Sequence, residues 1–221
     1  MAKRVACLLS GCGNRDGAEI NEAVMSILAL RLKGVELDFF GLDRISLDTI
    51  DHLSGRTATE SRNALREAAR IVRGKIKDVS ELKIEDYQGL AIPGGMGVAK
   101  NFCNFALEGE KSKADPKIES VIAGTLIQKK PILAICIAPA LVGLVAKNMG
   151  ISLKLTLGSL GCDAAKINTK WGHSLIEAKA WESVVDNTYK VISTPAFMCE
   201  IGMEEAWPGI ERAANSFVEL L

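Results

Sequence analysis

The chain has 221 residues, with 27 lysines and arginines against 27 aspartates and glutamates. A balanced charge offers no global field to a nucleic acid or an anionic membrane, and aromatics at 5% leave few platforms for stacking bases. The length suits one well-filled α/β domain over residues 1–221.

The six cysteines are Cys7, Cys12, Cys103, Cys136, Cys162 and Cys199. None forms a C-x-x-C pair, and only His52 and His173 could assist them, so neither a metal nor another cofactor is expected. Scattered thiols without a secretion signal lead us to expect a reducing compartment, the cytoplasm. Leu9-Ser10-Gly11-Cys12 matches a lipoprotein cleavage pattern. The apolar run before it is shorter than the roughly 7–15 residues such a signal needs, so it reads as a strand. No stretch is long and apolar enough to span a bilayer, and no membrane partner is expected.

Val5 to Leu9 is the first predicted strand, and it ends in the turn-forming loop Ser10 to Gly17. That loop has one G-x-G but not the further glycine of a dinucleotide fingerprint. Glu19 to Lys33 is an amphipathic helix stopped by Gly34, and Val35 to Phe40 is a second strand. Residues 42–59 are irregular and polar and include His52. Glu60 to Arg73 reads as a helix, with a row of arginines at 62, 66, 70 and 73 that suits a solvated face. Gly89 to Ile92 is a short buried strand running into Pro93-Gly94-Gly95-Met96-Gly97, where a backbone can approach a ligand closely. A short helix, Val98 to Ala106, and a longer one, Pro116 to Lys129, follow.

Pro131 to Ile135 suits a strand buried on both faces, Cys136 follows at once, and Ala138 to Met149 has helical length with Pro139 near its start. Strand, cysteine, helix is the shape of a nucleophile elbow. The first free amides of the helix would point at the sulfur, favour its thiolate and hold an oxyanion. Cys136 is therefore expected to be the thiol most readily alkylated near neutral pH. The local pattern also fits a buried cysteine at a strand end.

Beyond the elbow, Leu153 to Leu157, Ser174 to Ala178 and Lys190 to Ser193 read as short strands and Cys162 to Lys170 as a helix or turn. Ile201 to Leu221 reads as a closing helix interrupted by Pro208. The βαβα order predicts a mainly parallel sheet covered on both sides, a three-layer α/β/α sandwich of flavodoxin-like type. Ligands of such sheets sit at the carboxyl ends of the strands. The loops bearing Cys12, Gly94-Gly95 and Cys136 all lie there.

The chain resembles the DJ-1/PfpI superfamily, which shares the class I glutamine amidotransferase-like fold, and within it the ElbB-like branch labelled isoprenoid biosynthesis or enhancing lycopene protein. The matching segments are Leu9-Ser-Gly-Cys-Gly13, Asp16-Gly-Ala-Glu-Ile-Asn-Glu-Ala23, His52-Leu-Ser-Gly55, Thr59-Glu-Ser-Arg-Asn63, Pro93 to Asn101, Cys136-Ile-Ala-Pro139 and Thr194-Pro-Ala-Phe-Met198. They run in order through nearly the whole chain.

The resemblance implies that Cys136 is the elbow nucleophile, that Glu22 approaches its thiol from the first helix, and that the amides of Gly95 and Ile137 form an oxyanion hole. Glu19 is the structural alternative to Glu22, in the first turn where the helix dipole favours a carboxylate. The implied activity is a cofactor-independent, glyoxalase-like conversion of small 2-oxoaldehydes to 2-hydroxy acids. A homodimer is the family expectation.

A redox-sensing protein using Cys136, with Cys12 as a resolving thiol, is the alternative from another class. An amidotransferase subunit is weaker. Many relatives carry a histidine shortly after the elbow, whereas here the downstream candidate is His173, read as a surface or capping residue at the far edge of the sheet.

Overall fold

In the computed structural model, residues 3–221 are described. The elements run β1 (Lys3–Leu8), α1 (Ile20–Leu32), β2 (Val35–Gly41), α2 (Ala64–Ile71), β3 (Lys77–Asp78), β4 (Gly89–Ile92), α3 (Phe105–Glu108), α4 (Pro116–Ile127) and β5 (Ile132–Ile135). They continue with α5 (Ala138–Asn148), β6 (Lys154–Leu155), α6 (Asp163–Lys170), β7 (Ser174–Leu175), β8 (Val184–Asp186), β9 (Val191–Thr194) and α7 (Met203–Leu220).

Seven strands form the main sheet in the order β3-β2-β1-β4-β5-β9-β8. All its pairs are parallel except the antiparallel edge pair β8–β9. Val5 to Leu8, Leu90 to Ile92 and Ile132 to Ile135 are almost completely buried, as strands covered on both faces must be.

The order reverses between β1 and β4. Right-handed crossovers then place α1 and α2, which lead away from the switch, on one face and α4 and α5 on the other. α7 packs on α1 and on β9, completing the first layer. The switch point is where loops after neighbouring strands splay apart and leave room for a site.

Several elements differ from the sequence reading. The edge strands β3 and β8 were missed, because two or three residues are too few to show an alternating pattern. β6 and β7 are strands as expected, but they pair with each other in a separate two-stranded sheet. The helix expected from Glu60 starts at Ala64, because the Asn63 side chain accepts the Arg66 N–H at 3.0 Å and caps it there. Pro208 does not break the closing helix. It sits inside α7, in the second turn, and the helix runs on past it to Leu220. No helix among the described residues is long and apolar enough to cross a membrane.

Candidate active site

Cys136 stands between β5 and α5, as the strand–cysteine–helix pattern requires. Its φ is +62°, a left-handed value that a non-glycine residue adopts at a cost. The turn is held from the neighbouring strand: the Cys136 N–H donates to the Thr194 carbonyl at 2.9 Å. The side chain is buried, 7% exposed. Its sulfur is hydrogen-bonded to the Glu22 carboxyl and faces the backbone amides of Gly95 and Ile137. Ile137 is the N-cap of α5, so its amide is among those the helix leaves free.

Glu22 is fully buried in the first turn of α1. Its Oε2 accepts the Gly94 N–H at 3.0 Å and its Oε1 accepts the Phe197 N–H at 3.3 Å. Each carboxyl oxygen is thus held by one amide, and the remaining capacity points at the thiol. Glu19, one turn earlier, does something else: its Oε2 accepts the Glu22 N–H at 2.6 Å and caps the helix.

The glycines of the turn after β4 are required by contact. A Cβ on Gly94 would lie 2.5 Å from both the Cys136 Cβ and the Glu22 Oε2. Gly95 has φ +97°, and a Cβ there would sit 2.4 Å from the Gly17 carbonyl oxygen.

Burial pushes the Glu22 carboxyl up to about 8, and the nearby Glu19 charge adds to this. The hydrogen bonds from Cys136, Phe197 and Gly94 oppose it without overcoming it. Burial also raises the Cys136 thiol well above its ordinary value, reinforced by the Glu22 charge, while the Gly95 and Ile137 amides pull the other way. The pair therefore holds its protons near neutrality, which reverses the expectation that the helix amides leave a free thiolate. The two groups sit too close, and too far from water, for both to ionise.

Cys12 was expected at the same edge of the sheet as a resolving thiol. It lines a small cavity beside α2 with Asp16, Ser46, Arg62 and Glu67. Burial and the charges of Glu67 and Asp16 raise its thiol, while Arg70 and Arg62 oppose them.

His52 props this loop. Its Nδ1 donates to the Ile50 carbonyl at 2.9 Å, and its Nε2 is 3.9 Å from Asp16. His173 is not a surface residue: it is 4% exposed. Its Nδ1 accepts the Leu153 N–H at 3.1 Å and its Nε2 donates to the Gly143 carbonyl at 2.8 Å. Both nitrogens are engaged between α5 and the strand pair β6–β7, so it supplies no base to Cys136. Among the described residues, no three His, Cys, Asp or Glu side chains gather to hold a metal ion.

Sequence reasoning missed Gly94 and Phe197 as partners of Glu22. Both act through backbone amides, which leave no residue-type signature. The segment Thr194 to Met198 was singled out, but nothing in it indicated that it closes over a carboxyl 175 positions away.

No family model matches the chain. It is 36% identical over 99% of its length to the human "Glutamine amidotransferase-like class 1 domain-containing protein 3, mitochondrial", covering 84% of that protein. It is 37% identical over 98% of its length to the rat "ES1 protein homolog, mitochondrial", again covering 84%. A solved structure from Ehrlichia chaffeensis, described as an isoprenoid biosynthesis protein with an amidotransferase-like domain, superposes with a TM-score of 0.92 at 32% identity, covering 99% of each chain. Drosophila melanogaster DJ-1beta shares the fold, with a TM-score of 0.51 at 17% identity over the full length of both chains.

The expectation of a cytoplasmic protein is corrected by the curated human, rat and zebrafish (Danio rerio) relatives, which are named mitochondrial proteins. Unpaired thiols report a reducing environment and cannot tell one such compartment from another. In sequence the chain belongs to the family of the ES1 and glutamine amidotransferase-like class 1 domain proteins, and it shares its fold with DJ-1.

Proposed function

We propose that the protein is a glyoxalase-like enzyme that converts small 2-oxoaldehydes to 2-hydroxy acids without glutathione. The observation that carries this reading is the contact between the buried Glu22 carboxyl and the Cys136 thiol. A proton acceptor and a nucleophile share one hydrogen bond beneath two convergent amides.

The reacting form is the singly ionised pair. The Cys136 sulfur adds to the aldehyde carbon, and the new oxygen takes the proton held by Glu22, giving a hemithioacetal. The Gly95 and Ile137 amides steady that oxygen while it carries charge. The Glu22 carboxylate then removes the hydrogen from the same carbon and returns it to the neighbouring, former carbonyl carbon, while the hydroxyl proton passes to that carbon's oxygen, leaving a 2-hydroxy thioester. Water hydrolyses the thioester, releasing the 2-hydroxy acid and restoring the thiol. For glyoxal the sum is one water added and no net oxidation.

The amidotransferase reading needs a base beside the thiol other than a carboxyl, and both His173 nitrogens are committed elsewhere. A second copy of the chain is the proposed partner.

The test is glyoxal consumption in the absence of glutathione by wild type, Cys136→Ser and Glu22→Gln. Both variants are expected to lose about 10²–10⁴-fold in rate while remaining folded. Glu19→Gln, which alters a helix cap and removes one charge that raises the Glu22 carboxyl, is expected to keep most of the activity. Turnover unchanged in Glu22→Gln defeats the mechanism. No turnover of any small oxoaldehyde by wild type leaves the redox-sensing reading in its place.

A further inference from the structure

A second cavity, of about 520 Å³, lies between α1, β2 and the end of α2. It shares no residue with the Cys136 site. Cys136 follows the carboxyl end of a strand. Helices that return the chain to the next strand finish at the amino ends, and Arg31 lies in the last turn of α1 and Arg73 just past α2.

The lining divides into two chemistries. Ile27, Phe39 and Val72 make an apolar floor, and Arg31, Arg73 and Lys75 stand at the rim. Phe39 and Val72 are buried while the three cations are exposed. No carboxylate lines the cavity. Among the described residues, none of the three cations makes an ion pair or a side-chain hydrogen bond. Asp38, next to Phe39 in the chain, is already taken, with Arg4 at 2.6 Å and the Tyr87 hydroxyl at 3.0 Å.

Three unpaired cations around one opening repel each other, and an anion relieves that repulsion. Two of them are guanidiniums, whose fork matches phosphate and carboxylate oxygens. The volume lies in the range of small-molecule sites, which are mostly apolar with a few convergent polar groups. We propose that this cavity binds a small amphipathic anion, an anionic head held by Arg31, Arg73 and Lys75 with a short apolar tail on Ile27, Phe39 and Val72. It is independent of the chemistry at Cys136, so failure of the glyoxalase reading leaves it standing.

Calorimetric titration at low ionic strength tests it, with octyl phosphate as the probe and octanoate, inorganic phosphate and octanol as comparisons. Octyl phosphate is expected to bind saturably at one site, and inorganic phosphate and octanol to bind at least about tenfold more weakly. Octanoate measures how much the phosphate group adds. The combined variant Arg31→Gln, Arg73→Gln, Lys75→Gln is expected to weaken octyl phosphate by at least about tenfold, with an unchanged melting temperature because the side chains are exposed. Ala substitution at Ile27 separates the tail from the head, and is expected to weaken octyl phosphate while leaving inorganic phosphate unaffected.

Co-sedimentation with phosphatidic acid vesicles distinguishes a lipid headgroup from a free ligand. Binding to vesicles without binding to octyl phosphate overturns the cavity assignment. So does the absence of saturable binding, equal binding by the combined variant, or octanol binding as well as octyl phosphate.

Discussion

Glu22 is a carboxylic acid buried beside a thiol, and its position has consequences for stability as well as chemistry. Its folded value, about 8, lies above the ordinary 4.5. Between those values the native state keeps a proton that the unfolded chain has released. Its contribution to stability is complete below about pH 4.5 and is lost as pH rises toward 8. Comparing Glu22→Gln with wild type, the difference in melting temperature is expected to move in the variant's favour from pH 5 to pH 9. A constant difference across that range would mean that the carboxyl is not held protonated. For turnover the sign is opposite: the singly ionised pair becomes populated with rising pH, so kcat/KM for glyoxal is expected to climb toward a plateau above about pH 8. The Phe197 amide offers a finer test. Phe197→Pro removes the N–H on Oε1 and is expected to raise the pH midpoint of that profile, whereas Phe197→Leu keeps the N–H and the midpoint. Cys136 was legible at this scale because strand, cysteine and helix follow each other directly. Its protonation was not, since that depends on burial by residues far away in the chain.

At the scale of elements, the α5 layer and the small sheet β6–β7 are joined by His173, which bonds to Gly143 in one and Leu153 beside the other. Burial lowers the His173 pKa from its ordinary 6.5. The unfolded chain therefore takes up a proton below about pH 6.5 that the native state refuses, and stability present above that pH is lost as pH falls through the folded value. His173→Ala leaves a buried carbonyl and a buried N–H without partners, and we expect it to cost about 2–4 kcal/mol in denaturant unfolding. It should also flatten the loss of stability between pH 7 and 5; an unchanged slope would show that another group titrates there. The long helices and central strands were readable from periodicity and apolar runs. The role of His173 was not, because a histidine next to polar residues reads as exposed until the elements on both sides of it are placed.

For the molecule as a whole, burial ranks the six thiols. Cys7, Cys103 and Cys136 are buried, whereas Cys12, Cys162 and Cys199 are partly exposed. Brief iodoacetamide treatment near neutral pH is expected to label the exposed three first, as mapped by mass spectrometry. Dominant labelling at Cys136 would show that the closed site opens readily and that its thiol ionises more easily than its surroundings imply. The sheet's centre was legible in the sequence. Its order was only partly so, because nothing local says that β5 takes as its neighbour a strand starting at Val191. That pairing has a consequence for synthesis. The Cys136 turn hangs from Thr194, and Glu22 is gripped by Phe197, so the elbow and its carboxyl stay apart until the ribosome has made almost the entire chain. At about 5–20 residues per second, the emerging polypeptide spends seconds with a cysteine that has neither its acid nor its amides. A reagent meeting the growing chain thus meets an ordinary thiol, and the buried pair of Cys136 and Glu22 is complete only when the chain nearly is.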